Sequence, residues 1–184
     1  MSQPPSSEPP STERPPDAGV EVVVHDEQDD HPIDTDRWAR LAVRVLEWRG
    51  VRRGELALTF VDEETIARLN VEHMGGDGPT DVLSFPLDTA ADEGADPGVP
   101  TLLGDVVICP SVAAANATSH ATGADPHPGH PDHDGSLDAE LALLVVHGVL
   151  HVLGFDHAEP VETVEMHGAE RELLAAFAAE GSGR

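Results

Sequence analysis

Three histidines fall within one short run, His147-Gly-Val-Leu-His151-Val-Leu-Gly-Phe-Asp-His157. Four residues along an α-helix turn the chain about 400° and raise it about 6 Å, so His147 and His151 lie one above the other on one face. That spacing suits two imidazoles converging on one ion at about 2.0–2.1 Å each. Gly154 is where the helix can stop, because Gly accepts the left-handed conformation that ends helices. The returning chain can then bring His157 to the same ion. Three neutral nitrogens with a fourth position left for water is the layout of catalytic zinc, whereas structural sites fill all four positions. One Zn2+ per chain is therefore expected, although imidazole also suits nickel, copper and iron. Without a metal, each buried imidazole would need its own hydrogen-bond partner. Asp156 has two readings: a group that orients a metal-bound histidine or water, and an ordinary turn residue.

A second histidine group, His120, His127, His130 and His133, is spaced by Pro and Gly with no regular element to fix its geometry. It reads as a solvated loop and not as a second metal site. The His-x3-His-x5-His spacing with an intervening Gly also occurs in metzincin proteases. Those enzymes need a Glu after the first histidine as general base. Here that position is Gly148, and the downstream Met166 reads as a core residue of a helix. The pattern is that of a metal-dependent hydrolase without the protease base.

The elements that must hold these groups follow from periodicity. Leu137 to Leu153 is a long apolar helix, and Val161 to Ala179 is a last amphipathic one. Upstream, Glu21–His25, Glu55–Val61, Thr80–Pro86 and Leu102–Ile108 read as strands, rich in β-branched residues or alternating in polarity. Trp38, Leu41, Val45 and Trp48 recur at helical spacing after an N-cap at Asp34 or Thr35. A helix from Ile66 to about His73 follows the acidic Asp62-Glu63-Glu64, and a small-residue helix runs from Ser111 to Ser119. Strands interspersed with helices over roughly 160 ordered residues, 20–180, suggest an α+β or α/β layered domain. Residues 1–19, with Pro, Ser and Glu dominating, are expected to be disordered, as is a short tail at 181–184. Residues 89–100 and 121–136 read as flexible loops.

The 184 residues carry 35 acidic side chains against ten basic ones, every one of them Arg, for a formal net charge of −25. Such a balance alone argues against a polyanionic partner. The distribution is uneven, however, with six of the ten Arg lying between Arg37 and Arg53. Arg37, Arg40 and Arg44 share a stripe of the first helix, either as phosphate contacts or as a solvated face paired with carboxylates. No secretory signal and no membrane-length apolar run is read, so a cytoplasmic protein is expected. Cys109 is the lone cysteine and reads as a small buried hydrophobe.

The histidine run resembles the HGxLHLxGYDH signature of the YbeY family, bacterial endoribonucleases of ribosomal RNA maturation. Leu69-Asn70, then Pro79-Thr80-Asp81-Val82-Leu83-Ser84-Phe85-Pro86, then Leu103-Gly104-Asp105-Val106-Val107-Ile108 and Glu140 follow in the family's order. The resemblance covers about residues 20–180 and implies an α+β fold, a small mixed four-stranded sheet packed with about five helices, with the zinc site at the end of the long apolar helix. It implies a zinc-dependent, single-strand-specific endoribonuclease that processes the 3′ end of small-subunit ribosomal RNA and serves ribosome quality control. Implied partners are ribosomal RNA and the small ribosomal subunit, with a ribosomal protein and an assembly GTPase beside them, and no membrane. Where many members carry an aromatic-Arg pair after Leu-Asn, this chain has His73-Met74. Asp81 and Thr80 are then the remaining polar candidates near the metal. The alternative is a non-catalytic ribosome-assembly factor with a structural zinc.

Overall fold

The computed structural model describes residues 19–87, 101–121, 130, 132–155 and 159–181. Residues 1–18, 88–100, 122–129, 131, 156–158 and 182–184 lie outside them, and with them most of the proline-rich stretch and of the segments expected to be flexible. In chain order the elements are β1 (Val20–Asp26), α1 (Thr35–Trp48), β2 (Gly54–Phe60), α2 (Glu63–Leu69), a π-helical turn (Asn70–Met74), β3 (Val82–Pro86), β4 (Leu102–Ile108), α3 (Pro110–Ala121), α4 (Leu137–Val152) and α5 (Pro160–Gly181). The fold is α+β, one of the two classes its sequence pattern leaves open and the one the family resemblance implies. The sheet order is β1-β2-β4-β3; β1 and β4 both run parallel to β2, while β3 runs antiparallel to β4 at the edge.

Strand alternation divides the core between two faces. Leu56, Leu58 and Phe60 of β2, with Val106 and Ile108 of β4, meet Trp38, Leu41, Val45 and Leu46 of α1 and the whole apolar run of α4. On the opposite face Leu83 and Val107 join Val61, Ile66 and Cys109 in a smaller cluster under α2. Burial raises the pKa of the Cys109 thiol above its ordinary value, in keeping with a packing role.

α4 is the central helix, buried from Glu140 to Val152 except at the two histidines. A helix apolar on nearly every side needs cover on every side, and α1, α3, α5 and the sheet supply it. It lies close against the sheet at Gly148, where a Cβ would lie 2.5 Å from Cγ1 of Val106. There the Ser84 hydroxyl donates to the Gly148 carbonyl at 3.1 Å, tying β3 to the helix.

The start of α4 revises the reading of the histidine loop in one place. His133 is not solvated: its side chain is 3% exposed and its Nε2 lies 2.9 Å from Oε2 of Glu140, itself 1% exposed. The Gly135 N–H donates to His133 Nδ1 at 3.0 Å. Ser136 caps the helix, its hydroxyl accepting from the Ala139 N–H. Hydrogen bonds from Ser136 in turn hold the Asp134 carboxyl below its ordinary pKa. Glu140 faces inward in the first turn of α4, and a carboxylate cannot be buried cheaply without a partner. The end of the loop folds back to provide one.

Candidate metal centre

His147 and His151 project from the last turns of α4, one turn apart. Their rings meet at 76° with centroids 4.6 Å apart, and the two Nε2 atoms are 3.1 Å from each other. Two ring nitrogens this close share either a proton or a metal ion. For bonds of about 2.0–2.1 Å, the edge of a tetrahedron around zinc is roughly 3.3 Å, so the observed separation fits two ligands of one ion.

Glu170 decides which nitrogen is available. Its Oε1 lies 2.8 Å from Nδ1 of His147, and its side chain is fully buried. A carboxylate only accepts hydrogen bonds, so it holds the proton on Nδ1 and leaves the Nε2 lone pair facing His151. A carboxylate behind a histidine in this way is the usual support for a metal-bound imidazole. Glu170 stands out neither by motif nor by spacing to the histidines. The signal that could have found it is its place in the apolar stripe of α5, among Met166, Ala169, Leu173 and Leu174. A carboxylate at such a position must have a buried partner.

The end of α4 has the expected form. Gly154 adopts φ 84°, its N–H donates to the His151 carbonyl at 3.0 Å, and the Phe155 N–H donates to Leu150 at 3.0 Å. This is the paired closure that lets a chain reverse after a helix. His157 and Asp156 lie outside the described residues. Among those residues no group of three metal-binding side chains is assembled.

The two imidazoles open onto a cleft of about 380 Å³ between α4, β3 and the π-helical turn. Asp81, Ser84 and the apolar Val82, Leu83, Pro86 and Met74 line it. Asp81 is therefore brought together with the histidine pair. Its Oδ1 accepts from the Val82 N–H at 2.8 Å and the Thr80 hydroxyl at 3.2 Å. Its Oδ2 accepts from the Asn116 amide at 3.0 Å. Thr80 thus acts on Asp81 and is not itself part of the cleft lining.

The three arginines lie elsewhere. Arg37 pairs with Asp138 at the start of α4, with its guanidinium 4.8 Å from the Trp38 ring centroid and 5.6 Å from that of Phe177. Nine residues of helix, a rise of roughly 13 Å, separate Asp138 from His147. Arg40 is exposed and Arg44 half-buried along the same α1. None of the three is among the described residues lining the cleft at the histidine pair.

Residues 23–178 match the family model described as Endoribonuclease YbeY. A relative of that name from a Nocardioides species is 44% identical over 154 residues, covering 81% of this chain and 93% of the relative. Another from Salinispora tropica is 45% identical, covering 79% and 88% respectively. Among solved structures, the solution structure of TM1509 from Thermotoga maritima superposes with a TM-score of 0.54 at 22% identity, over 88% of this chain and 91% of that one. That likeness supports the fold.

Proposed function

Because the chain belongs to the YbeY endoribonuclease family, we propose that it is a zinc-dependent, single-strand-specific endoribonuclease of ribosomal RNA maturation. Its expected work is the 3′ end of small-subunit ribosomal RNA and ribosome quality control in the cytoplasm, with the small subunit as partner. No helix among the described residues is long and apolar enough to cross a membrane. The observation that carries the zinc reading is the facing Nε2 pair of His147 and His151, with buried Glu170 fixing the tautomer. His157 is the third ligand proposed from the sequence. A zinc ion held there supplies Lewis-acid chemistry, polarising a phosphoryl oxygen and making water a competent nucleophile near neutral pH.

The chain's own groups set what else can happen. Asp81 is the carboxylate that lines the cleft among the described residues. Its Oδ2 keeps lone-pair capacity beyond the Asn116 bond, enough to orient a water or take its proton. Asn116 and Thr80 hold that carboxylate in place, and both are positioning residues. A protease reading fails on packing as well as on sequence. The residue after His147 faces β4, where even a Cβ would sit 2.5 Å from Val106, so no general base can project from that position.

The test is metal content and cleavage together. Wild type should hold about one zinc per chain and cut unpaired regions of a ribosomal RNA precursor. His147→Ala and His151→Ala should lose both. Zinc retained with no cleavage under any condition would replace the enzyme by an assembly factor with a structural metal.

A further inference from the structure

Met74 is 51% exposed and lines the cleft beside the histidine pair, together with the exposed Pro86. We propose that these two side chains form an apolar shelf for one unpaired nucleobase of the RNA strand at the scissile position. The proposal rests on the nuclease reading above and names how that site would grip its substrate.

The charge of the cleft comes first. Among its described lining there is no Arg, and the one ionisable group besides the histidines is acidic Asp81. The chain as a whole carries a net charge of −25. A phosphate backbone entering this cleft finds no Arg side chain among its described lining to replace its counterions. Apart from the metal, the attraction must come from the other chemistry a single strand offers, the faces and edges of its bases. Bases of a paired strand are stacked and hidden, so an apolar shelf also selects for unpaired RNA.

The shelf is held rigidly enough for the task. Met74 ends the π-helical turn, after which Gly75 takes φ 67°. The Gly76 N–H donates to the Asn70 carbonyl at 3.3 Å, and the Asn70 amide donates to the Gly78 carbonyl at 2.9 Å. Asn70 packs so tightly under Gly76 that an added Cβ would meet its amide at 2.6 Å. π-Helical turns of this kind recur at functional sites because they aim a side chain away from the regular helical spacing. A thioether is polarizable and favours the edge of an aromatic ring, and its three rotatable bonds let it follow different bases. The shelf would therefore be tolerant of base identity, as stacking platforms are.

The experiment uses the full chain loaded with zinc and a fluorescent single-stranded RNA in which one abasic nucleotide is moved along the strand. Both steady-state cleavage and equilibrium anisotropy are read. In wild type, the abasic nucleotide at one position next to the cut should weaken binding and raise KM about three- to tenfold, with kcat within about twofold. Met74→Ala should show the same loss on intact RNA and become insensitive to the abasic position, while Met74→Leu keeps most of the wild-type behaviour. A thermal melt confirms folding, which substitution of this exposed side chain should not disturb. Unchanged KM in Met74→Ala, or undiminished sensitivity to the abasic nucleotide, overturns the shelf and leaves the nuclease intact. Position-dependent binding without any cleavage upholds the shelf and removes the nuclease. RNA that fails to bind at all removes both.

Discussion

Replacing Glu170 by Gln should loosen zinc without unfolding the protein. The substitution keeps the volume of a fully buried side chain and an acceptor at 2.8 Å from His147 Nδ1, and removes the charge. A charge-assisted hydrogen bond is roughly twice as strong as a neutral one. The amide can also turn its NH2 group toward Nδ1, which would move the ring proton to Nε2 and block the lone pair that faces His151. Losing a carboxylate behind a metal-bound histidine costs about 10- to 100-fold in affinity, or about 1.4–2.7 kcal/mol. Competition against a chromophoric chelator at fixed pH measures this directly, and a urea melt of the metal-free protein controls for stability. The decisive comparison is a double-mutant cycle read in urea melts of the metal-free protein, because a group acting only through His147 has nothing left to act on in His147→Ala. Zinc affinity within twofold of wild type in Glu170→Gln would refute the reasoning. So would an equal effect of Glu170→Gln on metal-free stability in the His147→Ala background, since Glu170 would then be merely a core residue.

Other outcomes follow from the same structure. Gly148→Ala gains about 1 kcal/mol of helix propensity but drives a Cβ to 2.5 Å from Val106. Overpacking of this sort costs about 1–3 kcal/mol, and Val106→Ala should rescue part of it in denaturant melts; an uncoupled pair would show that α4 shifts freely. The absence of Arg from the described lining of the cleft implies a shallow salt dependence. With one or two phosphates neutralised, RNA affinity should fall less than about sevenfold between 50 and 200 mM salt, and a steep slope would place a cationic track elsewhere. The Asp62 carboxyl lies below its ordinary value of 3.8, first through the Thr65 N–H and then the Thr65 hydroxyl. Its stabilising share is present above the unfolded value and is lost as pH falls through the lower folded one; Asp62→Asn should flatten the acid limb of a stability curve. Cys109, fully buried with its thiol pKa raised, should react with a thiol reagent only at the rate of unfolding.

Much of this was legible in the sequence because it depends on local periodicity. The limits of β4 are those of the apolar run Leu102–Ile108, and α4 begins at the predicted Leu137. Gly154 ends the helix through the left-handed turn its type suggests. The differences occur where tertiary contacts override local pattern. A helix read as running from Ile66 to His73 starts earlier at Glu63 and breaks into a π-helical turn at Asn70. The turn is held by the Asn70 amide on the Gly78 carbonyl, a contact that spans eight residues and has no periodicity. Glu170 and the His133–Glu140 pair were missed because the partner of a buried carboxylate is set by the fold, even where its place in an apolar stripe shows that it must have one. Of the three histidines, spacing alone placed two on one face of a helix; His157 lies outside the described residues.

Gly148 links the packing of α4 to the kind of chemistry the cleft can perform. The histidine pair reaches the sheet edge because the helix lies almost in contact with β4, and that contact is possible only without a side chain at position 148. The same close approach lets Ser84 bond the Gly148 carbonyl, which places β3 alongside the rings. A general base therefore cannot come from position 148, and among the described lining of the cleft the carboxylate open to that role is Asp81. β3 begins beside Asp81, whose carboxylate is held by Thr80, the Val82 N–H and Asn116 of α3. If Asp81 fills that role, Asp81→Asn should lower kcat while leaving zinc affinity near wild type. Asn116→Ala should lower kcat less and shift its pH profile. Loss of zinc in Asp81→Asn would instead make Asp81 part of the metal site, and an unchanged kcat would send the search for the base outside the cleft.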